Sequence, residues 1–283
     1  MANKKQMLSR FGTDMKIRGL STNTQDGYMR YITKFLEYTN KAGGEITESD
    51  AREFILYLMR EDKVCPATIN AYNAAVRLFF AATLGKTMNY LQLPRLKVKK
   101  KLPELLSREE IRLLIDNCAN VKHKSFLLLA YGSGLRVSEI AKLRVKDIDS
   151  NAMRVFVKDG KGGKDRYTLL SQECLCVLRE YWTIYKPKHP DGWLFLGTFR
   201  QTHITPDGAA AAFYSQLEKV GISKDVPIHT LRHCFATHLL DDGVDLFRIK
   251  ELIGHASLSS TTVYLHLANT SAGIISPADR FEI

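Results

Sequence analysis

Met153-Arg154-Val155-Phe156-Val157-Lys158, then the turn-rich Asp159-Gly160-Lys161-Gly162-Gly163, then Tyr167 to Leu170, is the stretch where the apolar period changes from helical to alternating. Met153, Val155 and Val157 alternate with Arg154, Phe156 and Lys158, the period of two that gives a strand one buried face. Tyr167 to Leu170 supplies a matching strand, so the stretch predicts a β-hairpin with a flexible, basic tip. The spacing is helical on both sides, which predicts a mixed α+β domain with a small antiparallel sheet.

Upstream of the hairpin, Ser107-Arg108-Glu109-Glu110 reads as a capping box before the apolar run from Ile111. A helix through Phe126, Leu127, Leu128 and Leu129 is stopped by Gly132 and Gly134, and Val137 to Leu143 is helical again. Downstream the chain reads as helices broken near Pro187 to Gly192, Thr205-Pro206 and Val226-Pro227. Near the N-terminus, Tyr28, Tyr31, Ile32, Phe35, Leu36 and Tyr38 fall on one helical face. Gly43-Gly44 ends that helix, and Thr47 or Ser49 caps the next, which carries Phe54, Ile55, Tyr57 and Leu58. Pro66 suits the first turn of a third long helix bearing Ile69, Tyr72, Val76, Phe79 and Phe80. These helices predict a small bundle.

Between Leu91 and Leu106 the periodicity fails, Pro94 and Pro103 appear, and Arg95, Lys97, Lys99, Lys100 and Lys101 crowd together. The expected organisation is therefore a helical domain over 1–93, a basic linker over 94–105, and a second domain over 106–283. The linker is a solvated tether or a contact to a polyanion's backbone.

The chain's 283 residues exceed the usual size of a single core, and 45% hydrophobic with 25% charged residues is the composition of a soluble globular protein. Forty-one Lys and Arg against 30 Asp and Glu give a formal charge of +11, which points to a polyanionic partner, nucleic acid before anionic membrane. There is no apolar run long enough to span a bilayer, and Lys4, Lys5 and Arg10 interrupt any signal-peptide pattern, so a cytoplasmic, nucleoid-associated location is expected. The five cysteines, odd in number, read as reduced, and Cys174 and Cys176 as buried thiols rather than half of a zinc site.

The densest chemistry lies toward the end of the chain: His229-Thr230-Leu231-Arg232-His233, Ile253-Gly254-His255, and Ser260-Thr261-Thr262-Val263-Tyr264-Leu265-His266. Together with Gly132-Ser133-Gly134-Leu135-Arg136-Val137-Ser138-Glu139 and the hairpin lysine, these segments resemble the tyrosine recombinase family, which includes phage integrases, Xer-type chromosome resolvases and integron integrases. The resemblance runs in order and spacing from about Leu106 to Tyr264 and more loosely over the N-terminal helices, which look like that family's SAM-like core-binding domain. It implies a mostly α protein whose catalytic positions are Arg136, Lys161, His229, Arg232, His255 and the nucleophile Tyr264. The Ser276-Pro277-Ala278-Asp279-Arg280 ending is similar to integron and mobile-element integrases. The interval from Arg136 to His229 has no evident room for the helix that integron integrases insert, so a Xer-like or transposon-type enzyme is expected.

The chemistry of those residue types fits. A tyrosine hydroxyl, with a reference pKa of about 10, is about one part in a thousand ionised at pH 7 and needs a nearby base or cations to attack a phosphodiester. The transition state spreads negative charge over non-bridging oxygens, which guanidiniums grip in bidentate fashion, the task suited to Arg136 and Arg232. The departing 5′ oxygen needs a proton donor, for which Lys161 is the candidate and Lys164, on the same tip, the rival. His229, three residues before Arg232, can face the same phosphate as base or donor, and His255 is expected to donate to it. Glu139 is expected to hold a catalytic group in place, while the part played by His266 is left open.

A covalent phosphotyrosine conserves bond energy, so neither a nucleotide nor a metal cofactor is expected, and no P-loop motif is present. A metal alternative exists in His229, His233 and His238, but the zinc-protease glutamate is absent and Arg232 would repel a cation. The resemblance implies a partner in double-stranded DNA carrying specific sites, a homotetramer or heterotetramer working through a Holliday junction, and a tail over 268–283 that docks into a neighbouring protomer. The alternatives are a type IB topoisomerase, a DNA-binding accessory protein and a metal-dependent nuclease, the last lacking any paired acidic cluster.

Overall fold

The computed structural model describes residues 4–88, 93–98, 102–158, 164–199, 201–255, 257 and 261–267. Lys161, Lys99, Lys100, Lys101, the tail over 268–283 and the side chain of His266 lie outside the described residues. The chain divides into two compact units, 1–100 and 101–283.

The first unit is helical: α1 (Lys4–Ile17), α2 (Thr22–Thr39), α3 (Glu48–Arg60) and α4 (Pro66–Phe79), the last running on into a π-helical turn, Phe80–Leu84. Local chemistry sets the ends. Ser21 caps α2, and Thr47 rather than Ser49 caps α3 in a reciprocal box with Asp50. Pro66 opens α4, where its missing N–H leaves no extra orphan. Helix α1 was not anticipated, yet Met7, Phe11 and Met15, four residues apart, form its buried stripe. The π-helical turn was also missed. It begins where Phe79 and Phe80, adjacent in sequence, are both fully buried.

The start of the expected linker is tied to this unit. The Asn70 side chain pairs with the Leu96 backbone in both directions (2.8 and 3.0 Å), Asn73 donates to the Pro94 carbonyl, and Leu93 is buried. Arg95 and Lys97 remain exposed.

The second unit contains α5 (Arg108–Asp116), α6 (Val121–Gly132), α7 (Val137–Ala141), β1 (Ile148–Asp149), β2 (Arg154–Val157), β3 (Arg166–Leu169), α8 (Gln172–Tyr185), α9 (Pro206–Lys219), α10 (Thr230–Asp241) and α11 (Leu246–Ile253). A 3-10 turn over Thr262–His266 follows. Ser107 and Glu110 form the expected capping box of α5. Strands β2 and β3 make the expected hairpin, with Val155 opposite Thr168, and the short β1, not foreseen, extends it to an antiparallel sheet of order β1-β2-β3. Val155 and Val157 face the core, while Arg154 lies over the Tyr167 ring at 4.2 Å on the outer face. Helix α6 is buried from Ser125 to Ala130 without a break, and α10 is buried along most of its length. These two helices form the centre on which the site is built.

Cys118, Cys174 and Cys234 are buried free thiols, but Cys176, expected inside, is exposed. It lies on the solvent side of α8, two residues from the inward Cys174, and a helix turns by about 200° over that interval. Among the described residues no helix is long and apolar enough to cross a membrane.

Candidate active site

Glu139 is the hub. Its backbone lies in α7, and its carboxylate accepts the Arg136 backbone N–H (2.9 Å) and the Arg136 Nη1 (2.7 Å). Arg166, the first residue of β3, reaches the same carboxylate with both terminal nitrogens, Nη1 to Oε1 at 2.9 Å and Nη2 to Oε2 at 2.7 Å. Arg232 Nη1 stands 3.8 Å from Oε2, and it is only 1% exposed. Burial pushes the Glu139 carboxyl up, but the bond and charge of Arg166 and the contacts of Arg136 outweigh it and hold the group at about 2.

Arg232 lies in the first turn of α10. Its guanidinium donates to the Gly134 carbonyl (2.6 Å) and to the Ile253 carbonyl, while its buried Nε has no partner among the described residues. Gly134 makes the first contact possible: its φ is +60°, and a Cβ there would come within 2.3 Å of the Phe235 ring. Gly254 does the same at the other end. It is the left-handed cap of α11, and a Cβ on it would press the Arg166 side chain at 2.8 Å. Burial, with Arg136 nearby, lowers Arg232 to about 9, which leaves it cationic at neutral pH.

Tyr264 is carried on the 3-10 turn and is 1% exposed. Its hydroxyl shares a 3.1 Å hydrogen bond with Nδ1 of His233, and the His255 ring stacks on it at 6.1 Å between centroids. His255 is oriented in turn by Thr261, whose hydroxyl lies 3.1 Å from its Nδ1. Burial raises the Tyr264 pKa, and the charges of Arg232 and Arg136 oppose that rise. His229 packs edge-on against His233, with ring centroids 4.9 Å apart. Burial first, then His233 and the arginines, lowers His229 to about 4, and burial and Arg232 lower His233, so both rings are neutral near pH 7.

The structure thus brings Arg136, Glu139, His229, Arg232, His255 and Tyr264 into one cluster. Lys164, the rival of Lys161, is exposed and lines an open cleft with Arg166, Tyr167, Lys250, Gly254 and His255. The histidines of the metal alternative separate: His238 bonds the Tyr131 hydroxyl at 3.0 Å, and among the described residues no group of three His, Cys, Asp or Glu side chains could hold a metal ion. Sequence reasoning missed Arg166 and the partnership of His233 with Tyr264. Arg166 carried no signal in the sequence, because alternation puts the apolar Tyr167 and Leu169 inward, whereas in the structure Arg166 shares the inward face with the buried Thr168.

The profile of the Phage integrase family matches residues 104–271, and that of the phage integrase N-terminal SAM-like domain matches 7–90. An integrase/recombinase of Sinorhizobium fredii, y4qK, is 39% identical over 260 residues, covering 92% of this chain and 83% of that protein. Tyrosine recombinase XerA of Pyrococcus horikoshii is 33% identical over 258 residues, covering 91% of this chain and 88% of that protein. Among solved structures, XerH site-specific recombinase bound to a palindromic difH substrate superposes with a TM-score of 0.72 at 22% identity, covering 96% of this chain and 83% of that one. A lambda integrase dimer bound to a core site superposes at 0.73 and 18% identity, covering 99% of both chains. At these identities the two structures speak for the fold. Profiles spanning both units and relatives at a third or more identity over nine-tenths of the sequence establish that this chain belongs to the phage integrase, or tyrosine recombinase, family.

Proposed function

We propose that this protein is a site-specific DNA recombinase that cuts and rejoins strands through a 3′-phosphotyrosine on Tyr264. The observation that carries this reading is the buried knot of Arg136, Glu139 and Arg232 beside the Tyr264 and His233 pair. Arg136 and Arg232 bind the non-bridging oxygens of the scissile phosphate, where preorganised cations stabilise the charge of the transition state. The unpartnered Nε of Arg232 is a donor in need of such an oxygen. The Tyr264 oxygen attacks phosphorus, its proton passes to a neutral histidine (His229 or His233), and the 5′ oxygen leaves with a proton from the hairpin lysine, Lys161 or its rival Lys164. His255 donates to the phosphate. Because Tyr264 is 1% exposed, DNA must draw its hydroxyl outward before attack.

A single site cuts one strand. Exchange of four strands therefore calls for a tetramer, of this chain alone or with a related partner, on two duplexes, with a Holliday junction between the paired steps. The basic residues Arg95, Lys97, Lys99, Lys100 and Lys101 contact the phosphate backbone, and the tail over 268–283 joins neighbouring protomers. Deleting residues 268–283 is expected to abolish synapsis, and the assignment to the tail falls if synapsis survives.

The test is incubation with candidate-site DNA nicked just inside the cleavage position, in EDTA, followed by a denaturing gel. Wild type is expected to give a protein-DNA adduct and Tyr264→Phe none. An adduct that survives the substitution would overturn Tyr264 as nucleophile, and relaxation of supercoils without exchange between sites would favour a type IB topoisomerase.

A further inference from the structure

A carboxylate offers about four lone-pair positions, two on each oxygen. In Glu139 all four are filled: Oε1 accepts from Nη1 of Arg136 and Nη1 of Arg166, and Oε2 from the Arg136 backbone and Nη2 of Arg166. Arg232 is left at 3.8 Å, close enough for charge attraction but beyond a hydrogen bond. Arg136 spends only Nη1 on the carboxylate, and among the described residues its Nε and Nη2 make no hydrogen bond. The Nε of Arg232 is likewise unpartnered.

We propose that Arg166 is a positioning residue that saturates Glu139, so that Arg136 and Arg232 keep their donors for the scissile phosphate. Two of the four positions on Glu139 belong to Arg166. Without it the carboxylate would carry a vacant position on each oxygen, with Arg232 the nearest cation and Arg136 already attached. Both guanidiniums would then turn toward Glu139, and the phosphate would meet cations whose donors are already engaged. The same side chain also ties the hairpin to the end of α11, since Arg166 Nε donates to the Leu252 carbonyl at 2.9 Å and its stem packs on Gly254, next to His255. Arg166 is well placed for this work because it is the first residue of β3, fixed in register opposite Val157, and its side chain is only 9% exposed. A planar fork does this better than an ammonium, because only the fork meets both oxygens at once.

The inference rests on the phosphotyrosine reading, and the experiment separates the two. Single-turnover adduct formation on the nicked DNA is measured for wild type, Arg166→Ala, Arg166→Lys, Glu139→Gln and Arg166→Ala/Glu139→Gln, with DNA affinity by gel shift and folding by circular dichroism. Arg166→Ala is expected to lose roughly a hundredfold in rate, the scale of one preorganised donor, with DNA affinity changed by less than about threefold. Arg166→Lys should fall between it and wild type. The double variant should recover about tenfold over Arg166→Ala, because neutralising Glu139 releases the arginines, whereas a bracing role without this electrostatic element would make the double variant no faster. Should Arg166→Ala prove unstable, Arg166→Lys, which keeps a cation beside Glu139 but cannot meet both oxygens, remains measurable and should still be slower than wild type. A crystal structure of Arg166→Ala supplies a readout independent of activity. Glu139 hydrogen-bonded to Arg232 supports the proposal, and Glu139 still 3.8 Å away overturns it, whether or not wild type forms an adduct.

Discussion

The two units bury different things. The helical unit hides Phe11, Phe35, Phe54, Phe79 and Phe80 in a mesh of aromatic rings, with little charge among them. The second unit buries an arginine, Arg232, almost completely and sinks the ion pair of Glu139 and Arg166 to 9% exposure on each side. An apolar core is its own justification. Burying this much charge is costly even when paired, which fits arginines held for the proposed phosphate contacts rather than for stability alone. Burial of charge, more than size or depth of any cleft, distinguishes the working unit from the one built to pack.

That contrast can be broken first at the apolar core. Phe54 is fully buried and touches Phe35, Tyr38 and Tyr72, so Phe54→Ala is expected to cost about 3–5 kcal/mol in urea unfolding of the helical unit. A cost under about 1 kcal/mol would mean that the ring is not the keystone its contacts imply. In the second unit the corresponding substitution shows itself in rate. Arg232→Lys keeps the charge but cannot serve the Gly134 and Ile253 carbonyls and a phosphate together, and adduct formation should fall on the order of a hundredfold or more.

Acid sharpens the contrast. His229 drops from 6.5 to about 4 on folding, so between those values the unfolded chain binds more protons than the folded one, and stability is lost as pH falls. The loss is roughly 3 kcal/mol once pH is below about 4. Glu139 acts in the same direction lower down, its contribution present above 4.5 and lost as pH falls toward about 2. Thermal unfolding of wild type should therefore weaken from pH 6.5 to 4, and His229→Gln should flatten that slope. An unchanged slope would move the acid sensitivity elsewhere. The smallest effect belongs to a local device in the helical unit: Thr47→Ala removes half of the α3 capping box and should cost about 1 kcal/mol by chemical denaturation, with no effect on adduct formation per DNA bound.

What was legible follows the range of the interaction. The caps at Thr47 and Ser107, the first-turn Pro66 and the alternation of Val155 with Phe156 all act between residues a few positions apart, and each placed an element correctly. The failures also have local causes. Helix α1 shows its stripe only as Met7, Phe11 and Met15 between polar residues, and β3 inverts the usual pattern, with Tyr167 and Leu169 outward and Arg166 and Thr168 inward. On β3 the inward face serves the Glu139 knot and the Ser133 carbonyl rather than an apolar core.

The sequence by itself determined the helical bundle, the hairpin, the family and the inventory of reactive groups, because periodicity, capping chemistry and motif spacing are properties of neighbouring residues. Only the tertiary structure decided that Arg166 fills Glu139, that Gly134, 98 residues away, receives Arg232, and that His233 rather than His229 holds the Tyr264 hydroxyl. Those pairings join segments far apart in the chain, and no local rule says which of several buried cations meets which acceptor. Packing of α6, α10 and the sheet makes that choice, since buried polar groups must find their partners wherever the fold brings them.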